Sequence, residues 1–324
     1  MKEVLRQHFK LSLFFFLLLF LAGRIGLFLH EFAGHALFWR LIGGRLTEFS
    51  LFVFGGGWVH YGWTPSTADA SVFSLRLVEL SGLTVELVAG VLLAVFAIIW
   101  NTNRSIRGLF AAASSVLIVH SLFYLVISTY YGCGDGRGLF AVLQGGIRQA
   151  FLFLTFCLTV AGAFLVSYAF SPAVRSWGGD CSSKKRVLVI VVCAFAAALL
   201  HGTLTIGEQI VVKDEVYAEI KTSENVRLKE EELSEYISAY TEEHGREPDQ
   251  KNVGVVENEL EQKYWQFPIE IPLGIAVLAA FIGGFFLPGR RDHDEPSPVA
   301  WKDIALLGCF SVSTVVLILV LNRL

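Results

Sequence analysis

Seven times along this chain a run of about 20 apolar residues appears, at about 11–40, 72–100, 109–131, 139–170, 187–206, 269–288 and 303–322. About 20 such residues is the length that crosses ~30 Å of hydrocarbon as a helix. In hydrocarbon each backbone N–H and C=O must find its partner within the protein, so such runs are confined to helices. The segments between them are polar and rich in turn formers: NTNRSIR at 101–107, SPAVRSWGGDCSSKKR at 171–186 and PGRRDHDEPSPVAWK at 288–302. Only 17% of the 324 residues are charged, against about 25% in soluble domains, and the mean hydropathy is +0.57. The sequence therefore predicts an all-α polytopic membrane protein in contact with a lipid bilayer. The first run also has the look of a signal peptide, but apolar sequence continues past Gly23 without a polar gap, and a retained helix is expected.

The balance of charges excludes some partners and orients the chain. A net charge of -3 and the lack of any Lys/Arg block argue against nucleic acid. Five scattered cysteines with no CxxC argue against a disulfide framework or a thiolate zinc site. With seven crossings and a cytoplasmic N-terminus, the clusters Lys2/Arg6/Lys10, Arg104/Arg107, Arg175/Lys184/Lys185/Arg186 and Arg290/Arg291 all fall on the cytoplasmic side, as the positive-inside bias requires. A plasma-membrane location is expected. The same count puts 207–268 outside. This charged, helix-patterned insert separates a core at 1–206 from two C-terminal helices at 269–324. Its turn is expected at His244–Asp249, HGREPD, and it reads either as a plain extramembrane insert or as a surface for a partner protein.

Inside the first apolar run stands FLHEFAGHALFWR, residues 28–40. Ionisable residues are costly in lipid and usually functional there. Imidazole is a common zinc ligand, and an adjacent Glu can serve as general base. His30 and His35 are five residues apart, not the four of a HExxH helix. On an ideal α-helix that spacing separates them by about 140°. A π-bulge would restore a common face, and Gly34 would ease it. Alternatively Glu31 and His35, at i and i+4, both face the site. A catalytic zinc usually takes three protein ligands. Asp135, in GCGDGRG, is the one acidic residue between Glu86 and Asp180, and it reads either as that third ligand or as a helix N-cap.

These segments, in order, resemble the site-2 protease family of intramembrane zinc metalloproteases. HEFAGHALFWRLIGGR is similar to the family's zinc helix. SLFVFGGGWVHYG is similar to its Gly-rich re-entrant hairpin, LSGLTVELVAG to its AGPxxN segment and GDGRGLF to its DG motif. The resemblance covers roughly residues 20–145. It implies His30, His35 and Asp135 as ligands of Zn2+ and Glu31 as the base that activates water. It also implies a substrate cleft bordered by Gly56, Gly57 and Glu86, and membrane-anchored proteins as substrates. Three features depart from the pattern: the extra residue in the zinc motif, Leu83 and Glu86 where the family has Pro and Asn, and the lack of a PDZ-like domain. The HExxGH zinc helix of dipeptidyl-peptidase III-like enzymes is similar to HEFAGH. A non-catalytic scaffold binding partners through 207–268 is the alternative. A metal transporter is disfavoured because the polar residues gather at one depth.

Of the remaining polar residues, Arg76 and Glu79 are expected to pair at i, i+3. His120 and His201 read as satisfied buried histidines, with a ligand at the border of the cavity as the alternative for each, and His60 as a loop residue near the site.

Overall fold

The apolar runs fold as helices. The computed structural model describes residues 2–99, 104–175, 177, 183–286 and 299–323, so parts of the three polar linkers, and Cys181, lie outside the described residues. Helix α1 (Lys2–Phe28) passes through a π-helical segment (Leu29–Ala36) into α2 (Leu37–Leu41). Strands β1 (Arg45–Leu51) and β2 (Gly57–Gly62), the short α3 (Pro65–Ala68) and the long helices α4 (Val72–Ile99) and α5 (Arg104–Tyr131) follow. A 3-10 turn (Gly134–Gly136) leads to α6 (Arg137–Val142), α7 (Gly145–Arg175) and α8 (Ser183–Val212). Then come α9 (Glu215–Lys221), α10 (Glu224–His244), α11 (Gln250–Lys263), α12 (Glu270–Phe286) and α13 (Trp301–Leu321).

Among the described residues, six helices are long and apolar enough to cross a membrane: the continuous first one at Leu5–Leu41, then Val72–Ala97, Leu109–Tyr131, Gly145–Ser171, Lys185–Val212 and Trp301–Leu321. Their apolar side chains remain exposed on the outside, among them Leu92, Phe153, Leu165, Leu199 and Phe310, the surface that hydrocarbon would cover. Three expected spans are redrawn. The run at 139–170 is two helices, broken at Leu143–Gln144, with Gly145 at φ +54°. The run at 187–206 continues to Val212. The run at 269–288 is α12, an apolar helix of 17 residues, which at 1.5 Å per residue is about 26 Å long.

Helices α4, α5, α7 and α12 pack in series, and α1 lies against α5, α8 and α13. Near one end, Leu11, Phe14 and Leu18 of α1 meet Val174, Trp177, Ile190, Ile304 and Leu307 in a buried cluster. A second cluster joins Ala97, Ala111, Ile118, Val166 and Phe170. Because α1 is clamped this way, the π segment at its far end is held against α4.

The Gly-rich stretch is an antiparallel β-hairpin with a register irregularity between Leu46 and Glu48. Its tip is pinned by side chains from three helices. The Glu208 carboxylate accepts from the backbone N–H groups of Val53 (2.6 Å), Phe54 (2.6 Å) and Gly55 (2.8 Å). Arg24 donates to the carbonyls of Phe52 (2.7 Å) and Phe54 (3.1 Å). The Asn322 amide pairs with both backbone groups of Leu51. A hairpin alone is marginal, and these contacts hold its open backbone groups.

The segment 213–268 is helical. Asp214, Ser223 and Asp249 cap α9, α10 and α11 by accepting backbone N–H bonds. Gly245, at φ +67°, ends α10, so the turn falls within HGREPD. Lys263 donates to Glu232 at 2.6 Å and closes α11 onto α10.

Candidate metal centre

The extra residue in HEFAGH is absorbed where the chain needs it. Leu29–Ala36 is a π-helix, and i→i+5 bonding stacks residues five apart. His30 and His35 therefore share one face, with ring centroids 4.8 Å apart. The close approach of α4 makes room for both rings. A Cβ at Gly34 would stand 2.5 Å from Gly82 Cα, and a Cβ at Gly82 would stand 2.6 Å from His35 Nε2 and 2.8 Å from His30 Nε2. Glycine at both positions lets helix and rings meet.

Asp135 arrives from the 3-10 turn after α5. A Cβ at Gly136 would stand 2.2 Å from the Ser128 carbonyl carbon and the Thr129 nitrogen, so glycine seats the turn directly on the α5 backbone. Asp135 is not a helix cap: neither the turn nor α6 has a side-chain cap. Its carboxylate faces the histidines, with Oδ2 2.9 Å from His30 Nε2 and Oδ1 3.3 Å from His35 Nε2. The two Nε2 atoms are 3.2 Å apart. His30 and His35 are 8% and 7% exposed, so little water screens the group.

These distances suit a metal. A tetrahedral zinc with bonds of about 2.0–2.1 Å sets its donor atoms about 3.3 Å apart. The His35 orientation agrees: its Nδ1 stands 2.8 Å from the Val78 carbonyl, which cannot donate, so Nδ1 carries a proton and Nε2 is the nitrogen left to ligate. Two imidazole nitrogens and a carboxylate facing one another form a donor set suited to a cation. His30, His35 and Asp135 can hold a metal ion.

Glu31, 6% exposed, takes part in no hydrogen bond or ion pair among the described residues and lines the adjoining cavity of about 1630 Å³. Gly56 and Gly57 line it too, with Tyr217 of α9 lying over Gly56. Glu86 lines it too, but its oxygens are engaged: Oε2 is 3.5 Å from His30 Nδ1 and Oε1 is 3.0 Å from His120 Nδ1. His120 is no buried histidine, since 58% of its side chain is exposed and it stacks on Tyr124. His60 and His201 line the cavity without joining the ligand group. Arg76 and Glu79 pair at 2.6 Å.

The sequence pattern gave no sign of two further lining residues. Lys221, on the insert's first helix, donates to the Tyr124 hydroxyl at 2.9 Å and lies 4.2 Å above that ring. Burial pushes the Lys221 ammonium below its ordinary value, against the pull of Asp135, Cys133 and Glu31. Only the path of α9 brings it there; the amphipathic pattern of the insert predicts a helix, not its docking.

Comparison with protein-family models, with curated proteins and with solved structures gives no match to this chain.

Proposed function

We propose that this protein is an intramembrane zinc-dependent endopeptidase that hydrolyses membrane-anchored proteins. The observation that carries the reading is the convergence of His30, His35 and Asp135 within a membrane helix bundle, beside the Glu31 carboxylate, which has no hydrogen-bond partner among the described residues. Zinc held by those three residues would supply a Lewis acid that polarises the scissile carbonyl and acidifies water. Glu31 then takes the water proton as attack begins and returns it to the departing amine. Tyr124 and Lys221 offer O–H and N–H donors on the same cavity wall, suited to the negative charge that develops on the carbonyl oxygen.

Size supports a polypeptide substrate. A cavity of about 1630 Å³ exceeds the roughly 300–1,000 Å³ of small-molecule pockets. A helical substrate hides its carbonyls, so it must unwind to be cut, and the pinned hairpin offers backbone to an extended chain. In this reading the N-terminus is cytoplasmic and α9–α11 lie outside.

The experiment uses the purified full chain in lipid vesicles with a membrane-anchored reporter carrying a Gly/Pro-weakened span. Cleavage is expected to stop on removal of zinc by a chelator and return on its restoration. Cleavage that persists in the metal-stripped protein would refute the zinc mechanism. The scaffold alternative is favoured by zinc bound one to one with no cleavage of any such reporter.

A further inference from the structure

We infer that Glu86 is a positioning residue for the metal centre: clasped by His120, its carboxylate is placed to accept a hydrogen bond from the Nδ1–H of His30 and so turns Nε2 toward His35 and Asp135. The inference rests on the zinc site proposed above and gives it an outer carboxylate.

An imidazole can ligate through Nε2 only if its proton sits on Nδ1, and the group behind Nδ1 decides this. For His35 that group is the Val78 carbonyl. His30 Nδ1 is buried and makes no hydrogen bond among the described residues; the acceptor it faces is Glu86 Oε2 at 3.5 Å. That is longer than a formed hydrogen bond, and a small rotation of the ring toward a bound metal would close it. Val78 and Glu86 lie about two turns apart on α4, so one helix backs both ligand histidines.

Glu86 occupies a cradle shaped for it. It is 3% exposed, and a Cβ at Gly26 of α1 would stand 2.6 Å from Glu86 Oε1. No Lys or Arg pairs with it among the described residues; His120 and His30 are its ion-pair partners. A buried carboxylate without such partners is costly. A carboxylate adds what an amide lacks, a strong acceptor that raises the basicity of the ligand behind it.

The test measures metal, not turnover. Zn2+ affinity of the purified full chain is determined by competition with a chromophoric chelator, and Co2+ is substituted to read the ligand field by absorption. Glu86→Leu is expected to weaken Zn2+ binding about 10- to 100-fold and to shift the Co2+ bands. Glu86→Gln, which keeps an acceptor, should fall between it and the unmodified protein, and this ordering separates a hydrogen bond from packing. If Glu86→Leu does not fold, the Co2+ bands of folded Glu86→Gln decide. Zn2+ affinity and Co2+ bands unchanged in these variants, with His30→Ala losing the metal, would overturn the role of Glu86 alone. Undiminished Zn2+ binding by His30→Ala would overturn the centre itself.

Discussion

Exchanging Glu31 for glutamine should leave zinc bound at full stoichiometry and lower cleavage of a membrane-anchored reporter by about 10²–10⁴-fold, the range that general acid–base catalysis contributes. The substitution keeps the volume and removes only the basicity. Glu31 makes no hydrogen bond among the described residues, so its loss unties nothing in the fold, and it is not one of the converging metal donors. Retained zinc with lost cleavage is the signature of a base. Loss of zinc in Glu31→Gln would make the residue a ligand and overturn the assignment; undiminished cleavage would remove it from the reaction.

Gly82→Ala should weaken zinc binding although no ligand is removed. The added methyl would sit 2.6 Å from His35 Nε2 and 2.8 Å from His30 Nε2 and Cε1, closer than real carbon contacts allow. Either both rings turn away or α4 withdraws from the π segment, where Gly34 leaves it no slack. Overpacking of this kind costs about 1–3 kcal/mol in a buried site, so zinc affinity should fall by about 5- to 150-fold. A chelator-competition titration reads it directly. Unchanged affinity in Gly82→Ala would mean that the rings do not meet α4 as described.

Much of the metal centre was legible in the sequence because its chemistry is local. A histidine pair and a glutamate in an apolar run are costly enough to announce a function. The five-residue spacing required a π-bulge, and the π-helix runs across Leu29–Ala36. Asp135 stood out as the one acid between Glu86 and Asp180, open to a ligand or an N-cap reading, and the resemblance implied the ligand. What the sequence left open depends on how helices dock. Glu86, expected at the cleft wall, is turned toward His30 and His120 because Gly26 of α1 leaves space behind it. Lys221 reaches the cavity from 97 positions beyond Tyr124, a contact that no periodicity encodes. Glu208 and Arg24 bind the backbone of one hairpin tip, and the hydropathy pattern gives no sign of that docking. Span boundaries were blurred where a glycine with positive φ breaks an apolar run, as at Gly145.

Whether His30, His35 and Asp135 hold a zinc ion is decided by the metal content of the unmodified full chain purified without chelators, read with X-ray absorption at the zinc edge. One zinc per chain is expected, with a nitrogen and oxygen shell at about 2.0–2.2 Å, and with loss of that zinc in His35→Ala. An unmodified protein without zinc, or a His35→Ala variant that holds it as tightly, would mean that these residues are not its ligands.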